Sequence, residues 1–220
     1  MLNFYEHCTG PKSHNPNYEL HGIQIPFRML IAAPSGSGKT NCLMNLISVM
    51  NKTFEEIHVC ILSADEPLYQ KLAKLRGVTF YEGGEVPEMS SSNTQKLIIF
   101  DDLVLHKAAN AKALDYYIRG RKKKYSMCYL SQSYFQTPKL IRINCQYLIL
   151  GKNLLKKDLR LILSTIPSEL TLDEFQSVYN KLTKAPLSVI VLDINRRTLR
   201  NGIAGEIMSL TPDDLHCTDI

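Results

Sequence analysis

Two stretches of this sequence carry residue types suited to holding and splitting a phosphoanhydride. The first is Ala33-Pro34-Ser35-Gly36-Ser37-Gly38-Lys39-Thr40, followed by Asn41. It fits the phosphate-loop pattern G-x-x-x-x-G-K-[ST], with Ala33 in place of the first glycine. Glycines let successive backbone N–H groups turn inward on an anion, and a helix beginning just after them adds its positive end. In this pattern Lys39 reaches the β- and γ-phosphates and Thr40 offers its hydroxyl to Mg²⁺. Ser35, Gly36, Ser37, Gly38, Lys39, Thr40 and Asn41 are therefore the expected nucleotide cradle.

The second stretch is Lys96-Leu97-Ile98-Ile99-Phe100-Asp101-Asp102, an apolar run ending in two carboxylates. This is the form of a Walker B element, in which the first acid, Asp101, holds Mg²⁺ through water. Asp102 is then placed to orient or deprotonate an attacking water, though it is one methylene shorter than Glu. The bland alternative is that one of the pair caps a helix starting near Leu103. Further on, Met127-Cys128-Tyr129-Leu130 leads into Ser131-Gln132-Ser133. That spacing puts the Gln132 amide at a strand's carboxyl end, where open α/β sheets bind ligands and where it would sense a γ-phosphate. A polar loop start explains it equally simply.

Arg119-Gly120-Arg121-Lys122-Lys123-Lys124 precedes that strand. Such a run is commonly a solvated helix end that suits the macrodipole. Its functional reading gives Arg119 or Arg121 to a neighbouring subunit's γ-phosphate, because an arginine supplied in trans stabilises transition-state charge. Arg142, Arg196, Arg197 and Arg200 compete for that role.

The elements needed to position these groups are visible in the pattern. Apolar runs at 27–33, 57–62, 97–100, 127–130, 147–150 and 187–192 read as strands buried on both faces. Leu43, Leu46, Ile47 and Met50 mark a helix after the phosphate loop. Helical patterns follow at 66–75, 103–118, 154–164 and 172–183, the last opened by the capping box Thr171-x-x-Glu174. Alternation of this kind predicts an α/β fold with a mostly parallel sheet flanked by helices. Residues 1–26 read as an arm, 27–203 as the nucleotide-binding domain, and 204–220 as a tail expected to be mobile. Gly83–Asn93 reads as a surface loop.

Composition narrows the class. The chain has 220 residues, 45% hydrophobic and 21% charged, so it can bury a core. A net charge of +5 makes polyanions plausible partners where the basic residues cluster, at 119–124, 152–160 and 196–200. Six scattered cysteines without a C-x-x-C pair read as reduced thiols, and no apolar run reaches bilayer length. An intracellular protein is expected. Asp101-Asp102-Leu103-Val104 lacks the glycine of a GTPase D-x-x-G, and Leu155-Lys156-Lys157-Asp158 has Leu where guanine recognition needs Asn. A nucleotide kinase would offer an arginine-lined lid instead of an acid pair with a sensor.

Taken in order, Ala33–Thr40, Ile98-Ile99-Phe100-Asp101-Asp102 and Tyr129-Leu130-Ser131-Gln132-Ser133-Tyr134-Phe135 resemble the poxvirus-type genome-packaging ATPases. That family belongs to the FtsK/HerA superfamily and occurs across large double-stranded DNA viruses, virophages and related mobile elements. The resemblance spans residues 28–200. It implies a RecA-like P-loop core with the sensor strand between the Walker A and Walker B strands. It also implies ATP and Mg²⁺ as cofactors, and a ring-shaped homo-oligomer of five or six subunits. The implied activity is ATP-driven translocation of double-stranded DNA into a preformed capsid, with capsid proteins as partners. The host cytoplasm or a virus factory would be its location, with virion association a further expectation. Another DNA pump of the superfamily, serving conjugation or segregation, and an ATP-dependent switch with little turnover are the competing readings.

Overall fold

A computed structural model describes residues 13–166 and 168–210 of the chain. Apolar β-rich runs alternate with amphipathic helices, and the chain folds as that alternation requires, into one sheet covered on both faces. The strands are β1 (Arg28–Ala32), β2 (Glu56–Cys60), β3 (Val78–Tyr81), β4 (Lys96–Asp101), β5 (Tyr125–Ser131), β6 (Tyr147–Gly151), β7 (Val189–Asp193), β8 (Thr198–Asn201) and β9 (Ile207–Ser209). Helices are α1 (Tyr18–His21), α2 (Lys39–Val49), α3 (Pro67–Leu72), α4 (Lys107–Arg119), α5 (Lys139–Asn144), α6 (Lys156–Thr165) and α7 (Leu172–Leu182).

Strand order is β3-β2-β4-β5-β1-β6-β7-β8-β9. Pairings from β3 across to β6 are parallel, and those from β6 to β9 are antiparallel. The central strand β5 lies between β1 and β4, as the resemblance implies for a sensor strand. The fold is thus the expected α/β class, and it departs from simple alternation where β3 leads to β4 and β7 to β9 without helices, and at the carboxyl side of β6. Two helices, α6 and α7, connect β6 to β7. A single return helix restores the strand direction, whereas a pair brings the chain back to the end it left, so β7 runs antiparallel.

Successive strand residues point to opposite faces, which splits the interior in two. Leu30, Phe100, Tyr129 and Leu148 lie in one cluster under α4 and α6, while Met29, Ile31, Ile99 and Cys128 lie in the other with Leu43 and Leu46 of α2. The capping box of α7 forms as read: Thr171 Oγ1 accepts from the Glu174 N–H, and the Glu174 carboxylate accepts from the Thr171 N–H.

Three short strands, β3, β8 and β9, carry no long apolar run and were not expected. Ile207–Ser209 falls within 204–220, where periodicity fades; residues 211–220 lie outside the described residues. Of the amino-terminal segment, residues 1–12 also lie outside them. Its described part crosses β6 and β8: the Gln24 N–H donates to the Tyr147 hydroxyl (3.0 Å), Arg200 Nη1 donates to Leu20 O (2.8 Å), and Ile23 is buried. No described helix is long and apolar enough to cross a membrane.

Candidate active site

Because β1, β4 and β5 are parallel neighbours, their carboxyl ends come together at one edge, the place where open sheets leave a crevice. Register makes this concrete: Ala32 pairs with Ser131 and Asp101 with Leu130. The residues following each strand therefore meet. A cleft of about 390 Å³ is lined by Ser35, Gly36, Gly38, Lys39, Thr40, Asn41, Asp101, Asp102 and Gln132, with Glu66 and Leu68 completing it.

The loop between β1 and α2 takes its shape from two glycines in the left-handed region, Gly36 at φ 73° and Gly38 at φ 86°. Gly38 occupies the cap position of α2, and no side chain caps that end. The first-turn N–H groups, which have no partner within their own helix, are left for an anion. The alanine at position 33 has a structural counterpart. A Cβ on Gly151 would lie 2.6 Å from Ala33 Cβ, so the glycine on β6 makes room for the methyl that a glycine at position 33 would lack.

On the facing strand, Asp101 is largely enclosed and accepts a hydrogen bond from the Tyr69 hydroxyl at 2.5 Å. Burial pushes its carboxyl up to about 6, against the Tyr69 hydrogen bond and the nearby Lys39 charge, which favour the ionised form. Asp102 is exposed and sits at φ 52°. This left-handed conformation costs a residue with a Cβ on the order of 1 kcal/mol, and aspartate is among those that tolerate it best. Its N–H donates to Leu130 O (3.3 Å) and its carboxylate accepts from Gln132 Nε2 (2.6 Å), so the ends of β4 and β5 are joined at the mouth of the cleft. Neither aspartate caps α4. That helix starts at Lys107, and His106 Nδ1 accepts from the Ala109 N–H.

Glu66 was not singled out by the sequence reading. It lies just before α3, beyond β2, and its carboxylate accepts from the Thr40 hydroxyl at 2.9 Å. No motif spacing relates it to the phosphate loop; only the placement of β2 beside β4 brings it there. Leu187 was missed for the same reason. Its Cδ2 would lie 2.5 Å from a Cβ on Gly38, so the loop entering β7 lies against the cradle.

Arg119 and Arg121 are not among the lining residues. The chain leaves the cleft along α4, and β5 starts beside the first residue of β4, with Tyr125 paired to Lys96. Both arginines thus stand at the opposite edge of the sheet, in the turn Gly120–Lys123 and the helix end before it. Arg119 is exposed and paired to Asp115 one turn back, while Arg121 lies close enough to Arg28, at the start of β1, to disfavour its charge. Lys123 and Lys124 donate to the carbonyls of Met89 (3.0 Å) and Asn93 (2.8 Å), strapping the 83–95 loop to this edge.

Chemically, the cleft offers an uncapped helix N-terminus and a lysine for phosphates. Thr40 and Asp101 are hard oxygen donors of the kind Mg²⁺ takes. Among the described residues no group of three or more His, Cys, Asp or Glu side chains is arranged to hold a metal alone. This suits an ion bound through one or two protein oxygens together with phosphate and water.

Fold and cleft together define a P-loop ATPase architecture. Its solved neighbours include the genome packaging NTPase B204 of Sulfolobus turreted icosahedral virus 2 in complex with ATP-gammaS, at TM-score 0.57 and 12% identity over 81% of this chain and 98% of that one. A second is the cytoplasmic domain of the Type VII secretion ATPase EccC of Thermomonospora curvata, at TM-score 0.57 and 12% identity over 81% of this chain and 25% of that one.

In sequence, the chain is similar to the DNA packaging protein OPG160 of Variola virus, 28% identical over 141 residues, 56% of this chain and 52% of that protein. OPG160 of Vaccinia virus (strain Copenhagen) matches to the same extent. The chain spans about half the length of these relatives. No family model matches. Both likenesses agree with the resemblance drawn from the three motifs.

Proposed function

We propose that this protein is an ATP-hydrolysing motor that moves double-stranded DNA into a preformed viral capsid. The observation that carries the reading is the meeting of the Ser35–Asn41 cradle with Asp101, Asp102 and Gln132 in one cleft, in a chain similar to proteins named for DNA packaging. Lys39 and the cradle amides bind the triphosphate of ATP. Thr40 and Asp101 hold Mg²⁺, which when bound supplies charge neutralisation between the phosphates. Asp102 orients the attacking water and accepts its proton, and Gln132 contacts the γ-phosphate. Arg119 or Arg121 acts on the neighbouring subunit's nucleotide in a ring of five or six subunits. Capsid proteins are the further partners, and the work is done in the host cytoplasm or a virus factory.

The geometry supports the base role of Asp102 in one respect, its exposure at the cleft mouth beside Gln132. Steady-state ATP hydrolysis by the purified protein, with and without duplex DNA, tests the whole reading. Hydrolysis raised by DNA, with a stimulation that weakens as salt increases, is the expected result. Absence of hydrolysis in both conditions, with assembled protein, would overturn the motor and leave a nucleotide-dependent switch.

A further inference from the structure

Gln132 is exposed, yet the residues on either side of it are buried and bonded. Ser131 Oγ donates to Ser133 O (2.8 Å), and the Thr137 hydroxyl donates to the same oxygen (2.9 Å). Those bonds close the segment on itself, but they do not attach it to the rest of the molecule. Beside the Ala33 N–H bond to Ser131 O, the Arg142 bond to Thr137 O and the buried Tyr134 ring, the segment is attached by Asp158, a carboxylate only 1% exposed in the first turn of α6. One of its oxygens, Oδ1, accepts from the Ser133 hydroxyl (2.8 Å) and from the Phe135 N–H (2.7 Å).

A first-turn aspartate ordinarily serves its own helix, by accepting from an uncapped N–H or facing the positive end of the dipole. Here both hydrogen bonds go to a different segment, twenty-odd residues away. Burying a carboxylate is unfavourable unless its hydrogen bonds repay the loss of water. Apolar packing alone would hold α6 against the sheet without this group. Two weaker contacts run in parallel: the Tyr134 and Thr165 hydroxyls are 2.9 Å apart, and Lys157 stands 5.1 Å from the centre of the Phe135 ring. With its flanks fixed, the Gln132 amide donates to Asp102 at the mouth of the cleft.

We propose that Asp158 is a positioning residue for Gln132, fixing the segment that presents this amide to the terminal phosphate of a bound nucleoside triphosphate. The inference rests on the reading of Gln132 as the γ-phosphate contact. Asp158 itself touches no lining residue of the cleft; it acts through Ser133 and Phe135. The sequence holds it inside Leu155-Lys156-Lys157-Asp158, where the spacing with Lys156 suggests only a failed guanine-recognition element.

The test is preference for triphosphate over diphosphate, read as the ratio of dissociation constants for ADP and ATPγS by titration calorimetry, without turnover. Gln132→Ala should lower that ratio by roughly tenfold, the worth of one hydrogen bond to a charged group. Asp158→Ala should lower it by a similar factor while ADP affinity stays within about twofold. Asp158→Asn, whose amide oxygen can accept both hydrogen bonds, should keep the wild-type ratio. In the Gln132→Ala background, Asp158→Ala should add nothing, because a positioning residue has no effect once the positioned group is gone.

A further full loss in that background would make Asp158 merely structural and overturn the proposal. So would an unchanged ratio in Asp158→Ala beside a lowered one in Gln132→Ala. If Gln132→Ala leaves the ratio unchanged, the sensor reading and the proposal fall together, whereas the DNA-stimulated hydrolysis assay judges the motor separately. Should Asp158→Ala lose its cooperative melt, Ser133→Ala deletes one of the two bonds and should show a smaller drop in the same direction; no drop there would overturn the proposal.

Discussion

The two edges of the parallel sheet are built from the same strands but differ in how finished they are. At the carboxyl edge, β1, β4 and β5 deliver Lys39, Thr40, Asp101, Asp102 and Gln132 into one cleft, where Gln132 bonds Asp102, Glu66 holds Thr40 and Tyr69 holds Asp101. At the amino edge, Arg119, Arg121 and the following lysines surround strand starts, where Arg119 reaches only Asp115 and two lysines secure a loop. One subunit supplies the acid pair and the phosphate cradle on one side, and a cluster of basic residues on the other. A chain arranged in this way has its nucleotide chemistry nearly complete alone, and any contribution from these arginines must come from a second copy.

The largest effects should therefore come from the carboxyl edge. Lys39→Ala should weaken ATP binding about 100-fold or more, since among the described residues it removes the one cationic side chain lining the cleft. Equilibrium binding of a fluorescent ATP analogue would show it; retained affinity would mean the loop does not cradle phosphates. Asp102→Asn should keep that affinity within a few-fold and lower hydrolysis about 100-fold or more, the usual range for a lost general base. Normal turnover in this variant would remove Asp102 from the mechanism and direct attention to Glu66, whose carboxylate already meets the Thr40 hydroxyl.

Next in size is a stability effect at Asp101. Its carboxyl is raised from 3.8 to about 6, so in the metal-free folded chain it holds its proton where the unfolded chain has released it. Below about pH 4 both states are neutral at this site and there is no penalty. Between about pH 4 and 6 the unfolded chain releases this proton while the folded chain keeps it, so up to about 3 kcal/mol of stability is lost across that window, and above 6 the loss is complete. Asp101→Asn should abolish that decline. Urea unfolding in chelator at pH 4.5 and pH 8 would therefore show a larger gain for the variant at pH 8. Equal gains at both values would mean Asp101 ionises freely.

What the sequence made legible follows the same division. Phosphate loop, acid pair and sensor are each contiguous, and a contiguous motif needs only its own strand and turn to place it. Parallel register then brings three such strand ends together without further information. Glu66 and Leu187 were illegible because their approach to Thr40 and Gly38 depends on which strands become neighbours and on the direction of β7. Strands β3, β8 and β9 are short and lie toward the two outer ends of the sheet, where half-exposed residues give no apolar run. Asp158 was invisible as a functional group because its partners belong to a different segment, twenty-odd residues upstream.

The smallest expected effect is the one that would sharpen the contrast most. In the isolated subunit, Arg119→Ala and Arg121→Ala should leave ATP affinity within about twofold, since screened charges farther apart than a Debye length of about 8 Å contribute little. Arg119 has only its exposed pair with Asp115 to lose, and such pairs add little to stability. Assembled protein should behave differently. If one of these arginines reaches a neighbour's nucleotide, the all-mutant assembly should lose hydrolysis, and mixing it with inactive Lys39→Ala subunits should restore part of it, because some interfaces then join an intact cradle to an intact arginine. Failure of that mixture to regain hydrolysis would assign the trans arginine elsewhere, with Arg142, Arg196, Arg197 and Arg200 the next to substitute. Weakened ATP binding by the lone Arg121→Ala subunit would break the comparison itself, since the amino edge would then be acting on the cleft through the sheet.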